Sequence, residues 1–152
     1  YGDNVAMYIS EVPFWTHRIL WQLLFSGKFD RFPDLRYAVV ECGSYWIGDL
    51  LWKTDVNFGA SWKVKKMGTR MKGLISRLPS EYFGSNVFIG ASTMSTEEVR
   101  RRHVNGIDAL MWGTDYPILT HQECMDQVDE IDLKPHAKEA LLFKTAQEVF
   151  GI

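Results

Sequence analysis

The sequence predicts an α/β fold built on a parallel sheet, and three observations carry that reading. Three short apolar runs stand well apart in the chain: RYAVVE (36–41), NVFIGA (86–91) and ALMWGT (109–114). Each is close to continuous rather than alternating, the pattern of parallel strands covered on both faces. Segments with helical spacing separate them, as crossovers between parallel strands require.

From Pro13 to Ser26, Phe14, Ile19, Leu20, Leu23 and Leu24 fall along one broad side, and Gly27 follows as a natural helix stop. The first strand, 36–41, comes next. Tyr45 to Phe58 repeats the helical spacing with Trp46, Leu50, Leu51 and Phe58. Val64 to Leu78 does so with Met67, Met71, Leu74 and Ile75 until Pro79 ends it. After the second strand, 86–91, Ser95-Thr96-Glu97-Glu98 offers a hydroxyl N-cap and early acidic residues for a helix running to about Asn105 and closed by Gly106. The third strand, 109–114, precedes a terminal helix over Pro135–Phe150 with Ala137, Ala140, Leu141, Phe143, Ala146 and Val149 apolar.

The 152 residues, 46% hydrophobic, suffice for one ordinary domain, and no linker or repeat divides them. Three strands make a poor complete sheet, whereas an eight-stranded βα barrel needs about 250 residues. The expected fold is therefore the C-terminal part of a (β/α)8 TIM barrel, with residues 1–152 a single partial domain. The chain opens at Tyr1 and runs almost at once into EVPFWTHRILWQLLFSG, so further polypeptide is expected upstream.

A net charge of -2, from 17 basic and 19 acidic residues without a long basic block, gives no reason to expect nucleic acid or an anionic membrane as partner. The positive cluster Arg100-Arg101-Arg102-His103 lacks the aromatic interleaving of a nucleic-acid surface and reads as a solvated helix face. Cys42 and Cys124 lie far apart, which suggests neither a disulfide framework nor a cysteine zinc site and suits a reducing, cytoplasmic setting. Stretches such as ILWQLLF fall short of the roughly 20 apolar residues needed to span a bilayer. A small molecule is the expected ligand.

Four stretches taken in order, GKFDRFPDLRYAVVECGSYWIGDLL, PSEYFGSNVFIGAS, GIDALMWGTDYP and AQEVFGI, resemble the C-terminal half of the amidohydrolase-related family, in the branch that includes aminocarboxymuconate-semialdehyde decarboxylase. The resemblance implies a barrel with a divalent metal, usually zinc, at its C-terminal mouth. It also implies a ligand set of an HxH pair on the first strand, a histidine on the fifth and an aspartate after the eighth. Asp115, following ALMWGT, matches that aspartate. The histidine ligands are expected upstream of Tyr1, since His17, His103, His121 and His136 all fall in helix or loop segments. Relatives are often dimers, which makes a homodimer an expectation of the same kind.

Residues at the C-terminal ends of barrel strands build the chemistry of such folds, and a carboxylate there is costly to bury unless a cation or partner meets it. Asp115 is read as metal ligand and as proton acceptor for a metal-bound water. The alternative is a turn cap, because Gly-Thr-Asp-Tyr-Pro is also turn chemistry. Some decarboxylase relatives carry a histidine near VVECGSYW. Glu41 or Cys42 stands in its place, Glu41 as a catalytic group or as a salt-bridging residue, Cys42 as a small buried filler. Relatives often read DYPH where this chain has Ile118, so His121 is the histidine that would reach substrate from that loop, unless it lies at a helix start or on the surface. Tyr45 and Trp46 are candidates to line an aromatic or apolar substrate pocket, with core packing as the alternative. His17, beside Arg18, reads as a solvated or hydrogen-bonded helix residue.

These readings imply a metal-dependent hydrolase or non-oxidative decarboxylase of a small carboxylated or cyclic molecule. The competing reading is a catalytically inactive barrel fragment or ligand-binding module without the metal-binding histidines. A lone aspartate is well short of the three or four protein ligands of a zinc site.

Overall fold

The computed structural model describes residues 4–61, 74–92, 95–102 and 109–152. Helix α1 (Val5–Phe25) and the short α2 (Lys28–Arg31) precede strand β1 (Tyr37–Val40), and α3 (Ile47–Ser61) follows it. A 3-10 turn (Pro79–Tyr82) leads into β2 (Val87–Ser92), then α4 (Thr96–Arg100) and β3 (Leu110–Gly113). The described chain ends with α5 (His121–Asp129), α6 (Pro135–Glu139), a π-helical turn (Ala140–Lys144) and α7 (Thr145–Phe150).

The sheet has the order β1-β2-β3, all parallel. Val39, Ile89 and Leu110 stand in register across it and are all buried. Leu20 and Leu24 of α1, Ile47 and Leu51 of α3, and Leu141 and Val149 near the C-terminus belong to the same core. On the opposite face Val40, Gly90 and Met111 are in register, and Val40 is 56% exposed. Met111 is buried, so this face is covered at β3 and open at β1. β1 is an edge strand, and no described element lies over Val40.

Helix α1 begins two turns before the expected Pro13. The Asn4 side chain caps it by accepting from the Met7 N–H at 3.0 Å. Pro13 therefore sits inside the helix, with no N–H for the carbonyl one turn back. Most of the expected Val64–Leu78 helix lies outside the described residues, as do His103 and the end of the helix drawn to Asn105. The part that is described, 74–78, is not helical. Leu78 is extended, as a residue before proline prefers, and the Asp30 carboxylate captures Ser76 through the Ser76 N–H at 2.8 Å and hydroxyl at 2.7 Å. Helix α5 has only Cys124 and Val128 buried, a stripe too narrow for periodicity to announce. Among the described residues no helix is long and apolar enough to cross a membrane.

Asp30 also accepts from the Tyr82 hydroxyl at 2.7 Å, joining α2 to the approach to β2. Burial pushes its carboxyl up, but the hydrogen bonds from Ser76 and Tyr82 and the nearby Arg77 charge together outweigh that and hold it below its ordinary value. A depressed folded-state value makes the linkage acid-sensitive. The stability it adds is complete above the unfolded-chain aspartate range and is lost as pH falls through the lower folded-state value. Thermal melts between about pH 6 and pH 2 should show a shallower pH dependence for Asp30→Asn than for the parent protein. Identical slopes would remove Asp30 as a source.

Candidate active site

Parallel pairing brings the C-terminal ends of β1 and β3 to one rim of the sheet, on either side of β2. At both ends the chain turns through a left-handed backbone on a residue other than glycine: Glu41 has φ 61° and Asp115 has φ 52°. That conformation is uncommon for side-chain-bearing residues and concentrates where function imposes it. The Glu41 N–H still donates to the Gly90 carbonyl at 3.1 Å, so the ladder runs to this residue before the chain veers away.

Glu41 and Asp115 line one cleft of about 560 Å³, within the range of small-molecule sites. Tyr8, Ile9, Val12 and Pro13 of α1 give it an apolar wall, and Cys42, Gly43, Tyr45 and Glu98 complete the lining. A smaller cavity of about 240 Å³ lies on the helix side of β3, between α4 and the C-terminal helices, among Val99, Leu110, Leu133 and Leu141. It holds no carboxylate and touches β3 at its first residue, Leu110, away from the C-terminal rim, so the rim cleft is the better candidate.

The Asp115 carboxylate accepts no hydrogen bond from any described residue. The turn after it is closed instead by its main-chain carbonyl, which accepts from the Ile118 N–H at 2.8 Å. The capping alternative is thus not what the side chain does. Helix α5 is capped by Thr120, whose hydroxyl accepts from the Glu123 N–H at 3.3 Å while the Thr120 N–H donates to Glu123 Oε2 at 2.8 Å.

Of the residues singled out in the sequence, Asp115, Glu41, Cys42 and Tyr45 meet at the cleft, and Tyr45 is 61% exposed there. Trp46 does not line it. It is buried, its indole N–H donates to the carbonyls of Cys42 at 2.9 Å and Gly43 at 3.1 Å, and its ring lies 3.9 Å from that of His17. The hydrophobic stripe of α3 and this indole bond hold it in the core. His121 is the exposed first residue of α5 and does not line the cleft either, because the capping box draws the loop into a helix at that point. At Nε2, His17 is neither solvated nor bonded to any described residue: that nitrogen is buried, and burial lowers the imidazole pKa, favouring the neutral ring. The buried Cys42 thiol lies 2.8 Å from the Thr16 hydroxyl of α1 and 3.2 Å from the Val40 carbonyl, so its sulfur is committed locally while Glu41 is exposed.

The α1 wall of Tyr8, Ile9 and Val12, and Glu98, escape sequence reasoning. Glu98 was legible as an early acidic residue of a capped helix, and its Oε2 indeed accepts from the Ser95 N–H at 3.0 Å. Its Oε1 also accepts from the Ser44 N–H at 2.7 Å, 54 residues away in the chain. No local pattern signals that contact.

As a ligand set for a divalent cation the described residues are partial. No group of three or more histidine, cysteine, aspartate or glutamate side chains among them is placed to hold a metal. A single carboxylate with no other engagement among the described residues, at the end of a barrel-type strand, has the donor chemistry of one oxygen ligand in a set completed elsewhere.

The sequence profile of the amidohydrolase family matches residues 15–152. No curated protein sequence matches the chain. Among solved structures, it resembles 5-carboxyvanillate decarboxylase from Sphingomonas paucimobilis at 26% identity and a TM-score of 0.68, over 86% of this chain and 38% of that one. It also resembles the 5-carboxyvanillate decarboxylase of Novosphingobium aromaticivorans, complexed with manganese and 4-hydroxy-3-methoxy-5-nitrobenzoic acid, at 24% identity and a TM-score of 0.70, over 90% and 38% of the two chains. A dihydroxybenzoic acid decarboxylase from Polaromonas, with bound manganese and 2-nitroresorcinol, matches at 18% identity and 0.58, over 87% and 38%. The last two, at such identities, speak for the fold alone. The chain spans less than two-fifths of each of these structures, and its three parallel strands with flanking helices are part of a (β/α)8 barrel.

Proposed function

We infer, from the premise that this chain belongs to the amidohydrolase family, that its parent protein is a metal-dependent non-oxidative decarboxylase of a small carboxylated aromatic molecule. Residues 1–152 are then the C-terminal portion of one barrel domain. The observation that carries the reading is the Asp115 carboxylate, free of described partners at the end of β3, sharing a cleft with Glu41 at the end of β1. The likeness to a 5-carboxyvanillate decarboxylase at 26% identity favours C–C cleavage over hydrolysis, which the sequence left open. The manganese in two of them makes it the first metal to test, with the expected zinc as the second.

Asp115 would supply one oxygen ligand, and a bound divalent cation would polarise the substrate's oxygen substituents and stabilise negative charge developing on them. In the net reaction the ring carbon exchanges its bond to the carboxyl group for one to hydrogen, so a proton must reach that carbon as CO2 leaves. Glu41, one of the two residues that could take the family's histidine position and the exposed one of the pair, is our candidate for handling that proton. The apolar wall from α1 and the Tyr45 ring would hold an aromatic face and exclude water.

The test is CO2 release from carboxylated phenols by the full-length protein, metal-free and then reloaded with manganese or zinc. Glu41→Gln keeps the side chain's shape without its acid, and should lower kcat about 100-fold with little change in KM. Turnover that is indifferent to chelation, or to Glu41→Gln, would remove the corresponding assignment. A second reading is favoured by the incomplete ligand set among the described residues: residues 1–152 alone bind no metal and are catalytically inert. Metal analysis of that segment after dialysis decides it.

A further inference from the structure

On the active-site reading just given, we propose that Glu98 is a positioning residue, its carboxylate locking the loop after β1 to the loop after β2 and so fixing where Glu41 stands at the mouth of the cleft. Both oxygens are engaged. Oε2 accepts from the Ser95 N–H at 3.0 Å and hydroxyl at 3.1 Å, and Oε1 accepts from the Ser44 N–H at 2.7 Å with the Ser44 hydroxyl at 3.4 Å. The two main-chain N–H groups can only donate, one to each oxygen, so the site demands an acceptor on both sides, which a carboxylate supplies and an amide does not. Ser44 is only 2% exposed, leaving its N–H no ready exchange of Glu98 for water.

Gly43 makes the approach possible. Its φ of +59° belongs to the left-handed region, and a Cβ there would fall 3.0 Å from Glu98 Oε1 and 3.1 Å from Tyr45 Cδ1. The carboxylate thus rests against bare main chain, two residues after Glu41 and beside the Tyr45 ring. A helix N-cap needs only the Ser95 half of this arrangement. The Ser44 half serves the strand-end loop that carries Glu41 and Tyr45.

The experiment compares Glu98→Gln with Ser95→Ala in the full-length protein, since the second weakens the cap of α4 and leaves the Oε1 contact. Two readouts are taken: steady-state kinetics, and hydrogen exchange at the Ser44 amide. Glu98→Gln should cut kcat about 10- to 100-fold, as a displaced reacting group does, and speed Ser44 exchange at least about tenfold. Ser95→Ala should leave both near the parent values while lowering the melting temperature. Equal turnover in the two variants, or an unchanged Ser44 exchange rate in Glu98→Gln, would overturn the proposal. Should Glu98→Gln not accumulate folded, Glu98→Asp, too short to reach Ser44 and still acidic beside Ser95, is read the same way. If the parent protein turns over no aromatic carboxylate, the decarboxylase reading has failed, and the exchange rate alone still decides whether Glu98 holds the loop.

Discussion

Asp115→Asn in the full-length protein is expected to lose most of its bound divalent metal and about 10⁴-fold in kcat/KM, with the metal-free protein no less stable than its parent. The substitution is close to isosteric, and asparagine tolerates the left-handed backbone that φ 52° imposes. The turn survives because the main-chain carbonyl of residue 115, not the side chain, accepts from Ile118. What disappears is the negative charge. A neutral amide oxygen is a poorer ligand and cannot take up a proton, so both roles given to Asp115 end together. Metal content after dialysis, kcat/KM and calorimetry of the metal-free protein make the test, and an undiminished metal content would sink the assignment. At Glu41, which shares the cleft, Glu41→Gly should be more stable than Glu41→Ala by about 1 kcal/mol, since both lose the carboxylate and only glycine is free of the left-handed side-chain penalty. Strain retained at two strand ends facing one cleft is better explained by a task than by packing.

The strands were legible because burial on a parallel sheet demands near-continuous apolar runs, and 36–41, 86–91 and 109–114 contain β1, β2 and β3 to within a residue or two. Strand ends then located Asp115 and Glu41, since a carboxylate directly after such a run must emerge at the rim. Three-dimensional convergence was less legible. Trp46 read equally well as pocket or core, and what decided between them was its indole N–H reaching the carbonyls of Cys42 and Gly43. His121 sits at a helix start that Thr120 and Glu123 do announce as a capping box. The segment behind that box buries only Cys124 and Val128, so its helical period was masked. Glu98's bond to Ser44 spans 54 residues and leaves no trace in local spacing. Local rules capture elements and caps; contacts that close loops over the cleft come from the packing.

Gly27→Ala should cost about 2–4 kcal/mol of folding stability without touching the cleft. Gly27 follows α1 at φ 70°, and its N–H donates to the Leu24 carbonyl at 3.3 Å as the helix ends. Any L-residue there carries a left-handed penalty of about 1–2 kcal/mol. The larger obstacle is steric: a Cβ would lie 2.6 Å from the main-chain oxygen of Leu74. That oxygen cannot retreat cheaply, because two residues on the chain is fastened to Asp30 by both the N–H and the hydroxyl of Ser76, and Asp30 in turn holds Tyr82. Relief of the clash therefore means either breaking the Asp30 cluster or tilting α1 off the core that Leu20 and Leu24 fill. Gly27→Asn separates the two contributions, since asparagine accepts the backbone angle but still brings a Cβ. It should recover less than half of the loss. Chemical denaturation of the two variants measures both effects, and parent-like stability of Gly27→Ala would show that the segment holding Leu74 is not pinned where the Asp30 cluster places it.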